Sequence, residues 1–106
     1  IEKGTATMDF YIIKSPSRGT IDILMRRKGS NSKELPLYGV DAVGLVQGRM
    51  IEMVVASDIA EKATGVTVED IKGSCPQNMI LLAIFGDTAA VEDAMAEIQR
   101  KMEKKG

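Results

Sequence analysis

The chain has 106 residues, enough for one domain whose core needs no disulfides. Its 14 Lys and Arg balance 15 Asp and Glu, so no basic field argues for nucleic acid or an anionic membrane as partner. With no His and no Trp, Ser-His-Asp and Cys-His pairs, His-ligated metal sites within one chain and base-stacking platforms all drop out.

Ile1-Glu2-Lys3-Gly4 lacks the charged-then-apolar pattern of a signal segment. Met8 to Ile13 (MDFYII) is β-like and ends at Ser15-Pro16-Ser17-Arg18-Gly19, a turn sequence. Thr20 to Arg26 (TIDILMR) reads as a strand, and Lys28 to Gly39 as a connector with room for at most a broken helical turn before Pro36. Ala42 to Val46 is a short strand. Gly48 to Ala63 then carries Ile51, Val54, Val55, Ile59 and Ala63 on one face at helical spacing, with Gly65 as the stop. Val66 to Ile71 is another short strand.

Lys72 to Met79 (KGSCPQNM) is a turn-like stretch holding the single cysteine, Cys75. One cysteine rules out an intrachain disulfide framework and points to a reducing, cytosolic setting. Met79 to Phe85 (MILLAIF) is continuously apolar between Pro76 and Gly86. It reads as a strand covered on both faces, far short of the roughly 18 residues of a membrane span. Asp87 to Lys105 repeats the helical pattern with Val91, Ala94, Met95, Ile98 and Met102. Asp87 or Thr88 is its N-cap, Glu92 and Asp93 lie near its start, and Arg100, Lys101, Lys104 and Lys105 close it, as the helix dipole favours. Met50, Met53, Met95 and Met102 fall in these helical patterns as core or subunit-interface filler.

Residues 42 to 105 therefore run β-α-β-β-α, the split βαβ, ferredoxin-like order without its final strand. Three such strands would leave an apolar edge open. The strand expected over Thr20 to Arg26 can fill it from the other end of the chain, a circular permutation that neighbouring termini allow. The two-layer sandwich does not need Met8 to Ile13, so that run is expected to pack on another subunit.

This order, with MIEMVVASDIAEKATGV (50 to 66), LLAIFGDTAAVEDAM (81 to 95) and MDFYIIKSPSRGTIDILM (8 to 25), resembles the circularly permuted shell proteins of bacterial microcompartments. The resemblance covers residues 8 to 104. It implies an α/β sandwich, a circularly permuted ferredoxin-like BMC domain of antiparallel sheet and helices, plus an extra N-terminal strand. The implied organisation is one domain over 1–106. Residues 1–19 form an N-terminal strand and turn that builds a small barrel over the pore mouth in permuted relatives, and 20–106 form the permuted core. It further implies a cyclic hexamer tiling a shell facet in the cytoplasm, with other shell proteins and encapsulated redox enzymes as partners. No nucleic acid, membrane or catalytic residue is implied.

In this family the loop between the two strands after the first long helix lines the pore, often as Gly-Ser-Gly. Here the lining would be Gly73, Ser74, Cys75, Pro76 and Gln77. Gly-x-Cys-Pro-Gln departs from the common pattern and resembles a divergent branch found in glycyl-radical propanediol microcompartments. That branch is associated with an iron–sulfur cluster in the pore. The implied metal ligand is Cys75, and the implied cofactor a [4Fe–4S] cluster shared between subunits, because one chain has too few thiolates. Pro76 would fix the direction of the thiol by restricting Cys75 to extended backbone. Lys62 occupies the position of the family's edge lysine in contacts between rings, and Arg26 is expected near the same edge.

Four other readings stand beside this one. The pore could be unmetallated and pass small polar metabolites, or the charges could be merely solvated. The domain could instead be a ferredoxin-like regulator that senses a small molecule. An enzyme using Cys75 as nucleophile is the least supported, since the chain holds no base to activate it.

Overall fold

A computed structural model describes residues 8–27, 40–63, 65–72 and 79–103. Seven elements follow in chain order: β1 (Asp9–Lys14), α1 (Arg18–Arg27), β2 (Ala42–Arg49), α2 (Met50–Glu61), β3 (Val66–Ile71), β4 (Met79–Gly86) and α3 (Thr88–Glu103). The expected connector over residues 28 to 39 lies outside the described residues.

The four strands form one sheet in the order β1-β2-β4-β3, and every neighbouring pair is antiparallel. β2 and β3 are therefore parallel to each other, with β4 inserted between them and α2 as the crossover. This is the split βαβ expected from residues 42 to 105.

The strand that completes the sheet does come from the N-terminal end of the chain, but it is not Thr20 to Arg26. β1 fills the edge beside β2, with Asp9 opposite Gln47 and Lys14 opposite Ala42. Two expectations are thereby corrected. Met8 to Ile13 belongs to its own domain's sheet, and residues 18 to 27 are helical.

The helix has a local cause. Ser17 accepts a hydrogen bond from the Thr20 N–H through Oγ (3.1 Å), and its carbonyl accepts from the Ile21 N–H (3.1 Å). Ile21, Leu24 and Met25 then fall at helical spacing and pack on the sheet. The same residues also satisfy a strand's alternation through Ile21, Ile23 and Met25, which is how the segment misleads.

The core has two parts because the sheet is covered on both faces. Val46, Met53, Ala56, Leu82, Ile84, Val91, Met95 and Ile98 lie between the sheet and the α2–α3 layer. Leu24, Val43, Ile71, Ala83 and Phe85 lie between the sheet and α1. β4 supplies alternate residues to both, Leu82 and Ile84 to one side and Ala83 and Phe85 to the other, as its unbroken apolar run requires.

α3 buries Val91, Ala94, Met95 and Ile98 as its spacing predicts. Asp87 is its cap, accepting from the Ala90 N–H through Oδ1 (2.8 Å). α2 departs from expectation. Its buried residues are Met53, Ala56 and Ala60, whereas Ile51, Val54 and Val55 point outward. Of the expected face, Ile59 and Ala63 pack half-buried against the core; α2 is apolar on both sides, so periodicity alone does not select the buried face.

Candidate functional site

The β3–β4 connection begins after Lys72 and ends at Met79. Gly73, Ser74, Cys75, Pro76 and Gln77 all lie outside the described residues, but the base of the loop is well defined. On one side the Lys72 N–H donates to the carbonyl of Arg27, and Arg27 Nη1 donates back to the carbonyl of Lys72 (3.5 Å). The last turn of α1 is thus tied to the last residue before the loop. Lys72 also pairs with Asp70 at 3.5 Å.

On the other side, β4 pairs with β2 up to its first residue, Met79 opposite Arg49. Arg49 is the N-cap of α2. Its N–H donates to Glu52 Oε1 (3.1 Å), and its guanidinium lies 3.8 Å from Glu52 Oε2. Lys72 and Arg49 therefore flank the loop with exposed cationic side chains, as do Arg26 and Arg27 at the end of α1.

Lys62 is at the opposite end of the molecule. It is the C-cap of α2, before β3 begins, and pairs with Asp58 at 2.8 Å, both side chains being exposed. It lines a shallow groove between α2 and α3 with Asp93, Glu97 and Lys101. Arg100 and Lys101 donate hydrogen bonds to Glu97 (2.7 and 3.2 Å), which hold its carboxyl below the ordinary glutamate range.

β3, six residues long and spanning about 20 Å, separates the Lys62 end from the Arg26 end. Arg26 and Lys62 therefore stand at opposite ends of β3. Arg26 sits at the loop end because its segment is a helix leaning toward β3, not a strand running to the outer rim. Sequence reasoning missed Arg27 and Lys72 as a pair. Only the α1–β3 docking joins them, and no sequence spacing encodes it.

The described residues contain no group of three or more His, Cys, Asp or Glu able to hold a metal, and no helix long and apolar enough to cross a membrane. What the arrangement offers is a sheet covered by helices on both faces, with exposed cations at the end where β3 stops and β4 starts.

The BMC domain model matches residues 42–106. The chain belongs to the BMC-domain family. The match begins at β2 and leaves β1 and α1 outside it. Among solved structures the chain is similar to the ligand-free GrpU microcompartment shell protein from Clostridiales bacterium 1_7_47FAA. Identity there is 58%, over 91% of this chain and 93% of that one, with a TM-score of 0.71. It is also similar to the GrpU microcompartment shell protein from Pectobacterium wasabiae, at 34% identity over 86% of this chain and 99% of that one, with a TM-score of 0.70. No curated protein matches. This BMC domain is a microcompartment shell protein, and the shell is its location.

Proposed function

We propose that this BMC domain is a structural, non-catalytic tile. It forms cyclic hexamers in the shell of a glycyl-radical propanediol microcompartment and carries an iron–sulfur cluster at the pore through Cys75. The observation that supports the reading is where β3 stops and β4 starts. In a domain of this family, Lys72 and Met79, which flank the chain's single cysteine in sequence, stand at the same end of the sheet, Lys72 tied to Arg27 and Met79 paired with Arg49.

One chain does not fit a cluster on its own. It has one Cys and no His, and among the described residues no acidic group substitutes. Thiolates from several copies around an axis do match the donors such a cluster takes, so binding requires the ring. A bound cluster would supply one-electron transfer or close the pore. The chain's own part is to hold it through Cys75, with Gly73, Ser74, Pro76 and Gln77 lining the pore. Lys62, at the far end from the loop, is the candidate contact to neighbouring rings and to other shell proteins.

Anaerobic purification with iron and sulfide analysis, together with mass in solution, tests this. A hexamer with bound iron and sulfide is expected, and Cys75→Ser should remove both while leaving the hexamer intact. A hexamer without iron would leave a tile with a metabolite pore. A dimer or trimer that never forms sheets would mean a ferredoxin-like regulator instead.

A further inference from the structure

Among the described residues, Glu69 is the one charged side chain in the interior, 4% exposed. It stands on β3 opposite Ala83 of β4 and two residues before Ile71, on the same face. Ala83 and Ile71 both pack with Leu24 of α1, so the carboxyl lies on the side of the sheet that α1 covers. The charged residues of α1, Arg18, Asp22, Arg26 and Arg27, are exposed, and among the described residues no hydrogen bond or ion pair reaches Glu69. No described side-chain oxygen is both sealed from solvent and unpaired, so the carboxyl keeps a narrow opening to water.

α1 is a lightly held cover. It is 10 residues long and buries one side chain, Leu24, while Ile21 and Met25 are half-buried and Ile23 is 50% exposed. A helix this short does not persist in water away from its support. Two ties hold it. At its entry Ser15, in left-handed backbone at φ +52°, donates its N–H to the Asp41 carbonyl (2.8 Å), and the Asp41 N–H donates to the Gly86 carbonyl (3.1 Å). That end is fixed to the middle of the sheet. At its exit the clasp between Arg27 and Lys72 reaches only the end of β3, an edge strand.

We propose that α1 is a hinged cover: with the sheet intact, it lifts from β3 and β4 about its Ser15 end, opens Glu69 to water and lets go of Lys72. A carboxylate enclosed among apolar groups without a donor or a cation is under-solvated, and any opening that hydrates it is favoured for that reason. Burial of Leu24 closes the cover and hydration of Glu69 opens it, two effects of the same order. The clasp makes one event of two, the undocking of α1 and the release of the residue that follows β3. Lys72 comes immediately before the connection to β4, so closure of α1 fixes where that connection begins.

Hydrogen–deuterium exchange of the full native chain, resolved amide by amide through electron-transfer fragmentation, tests this beside Glu69→Met and Glu69→Gln. The amides of Ile21 to Arg27 and of Lys72 are expected to exchange at one common rate, roughly tenfold or more above those of β4 and α3. Glu69→Met should slow that common rate roughly tenfold, the size of an unmade contact to a carboxylate, and Glu69→Gln should slow it less because the amide stays polar. Equal protection of α1, β4 and α3 overturns the separate opening. A fast α1 beside a Lys72 amide protected like β4 overturns the coupling. A common rate that neither substitution slows removes Glu69 as its cause. The first two outcomes are read on the native chain, so they decide the proposal even where a variant fails to fold.

Discussion

An ideal Cβ on Gly86 would lie 2.6 Å from the carbonyl oxygen of Gly65, a contact with backbone that no rotamer change relieves. Gly65 itself holds φ at +85°, the left-handed turn that ends the α2 segment and starts β3. Gly86→Ala should therefore force β3 and β4 apart where they pair and cost about 1–3 kcal/mol, read as a lower urea midpoint. Elsewhere on the surface, effects are small and electrostatic. Arg100 first, and Lys101 second, hold the Glu97 carboxyl below its ordinary value of 4.5 by hydrogen bonding. A carboxyl lowered on folding adds stability above its unfolded pKa and loses it as pH falls through the folded one. Here that contribution stays slight because the pair is solvated. Carboxyl titration by NMR should find Glu97 below 4.5, and Arg100→Ala should raise it with little change in melting temperature.

Elements show where local pattern suffices and where it does not. α3 was legible because its single apolar stripe, Asp87 cap and basic last turn all agree. β4 was legible because a short apolar run between Pro76 and Gly86 fits a strand covered on both faces. The N-terminal third was not. Its two candidate strands, 8 to 13 and 20 to 26, have similar composition, and their roles depend on which one reaches the open edge of β2. β1 wins that edge, placing Phe10 against the α2–α3 core and Lys14 beside Glu92, while Ser17 starts a helix in the other segment. Removing residues 1–14 should consequently bare the β2 edge and abolish cooperative thermal unfolding, with aggregation as the visible outcome. A shortened chain that stays soluble and melts cooperatively would show that β1 is dispensable to the domain.

For the whole molecule, one Cys and no His are too few for a cluster held by a single chain, and α2 exposes Met50, Ile51, Val54 and Val55. Assembly would resolve both. Iron content should then follow the ring and not Cys75 alone. Ile51→Asp, far from the thiol in sequence, should lose iron and sulfide together with the oligomer while Cys75 is still present. Stoichiometric iron on the dissociated variant would move ligation to carboxylates and return Cys75 to an ordinary thiol.

The order β-α-β-β-α over residues 42 to 105, the supply of the missing edge strand from the N-terminal end of the chain and the absence of His-based chemistry were all decided by sequence. Each depends on spacing or composition within one segment. Tertiary structure alone decided three other matters: which N-terminal segment is the strand, which side of α2 is buried, and that Arg26 and Lys62 stand at opposite ends of β3. In each case the residues satisfy two local patterns equally well, and the choice is made by what lies across the sheet. An open edge beside β2 takes β1, and a sheet face already filled by Leu82 and Ile84 leaves room over α2 only for Met53, Ala56 and Ala60.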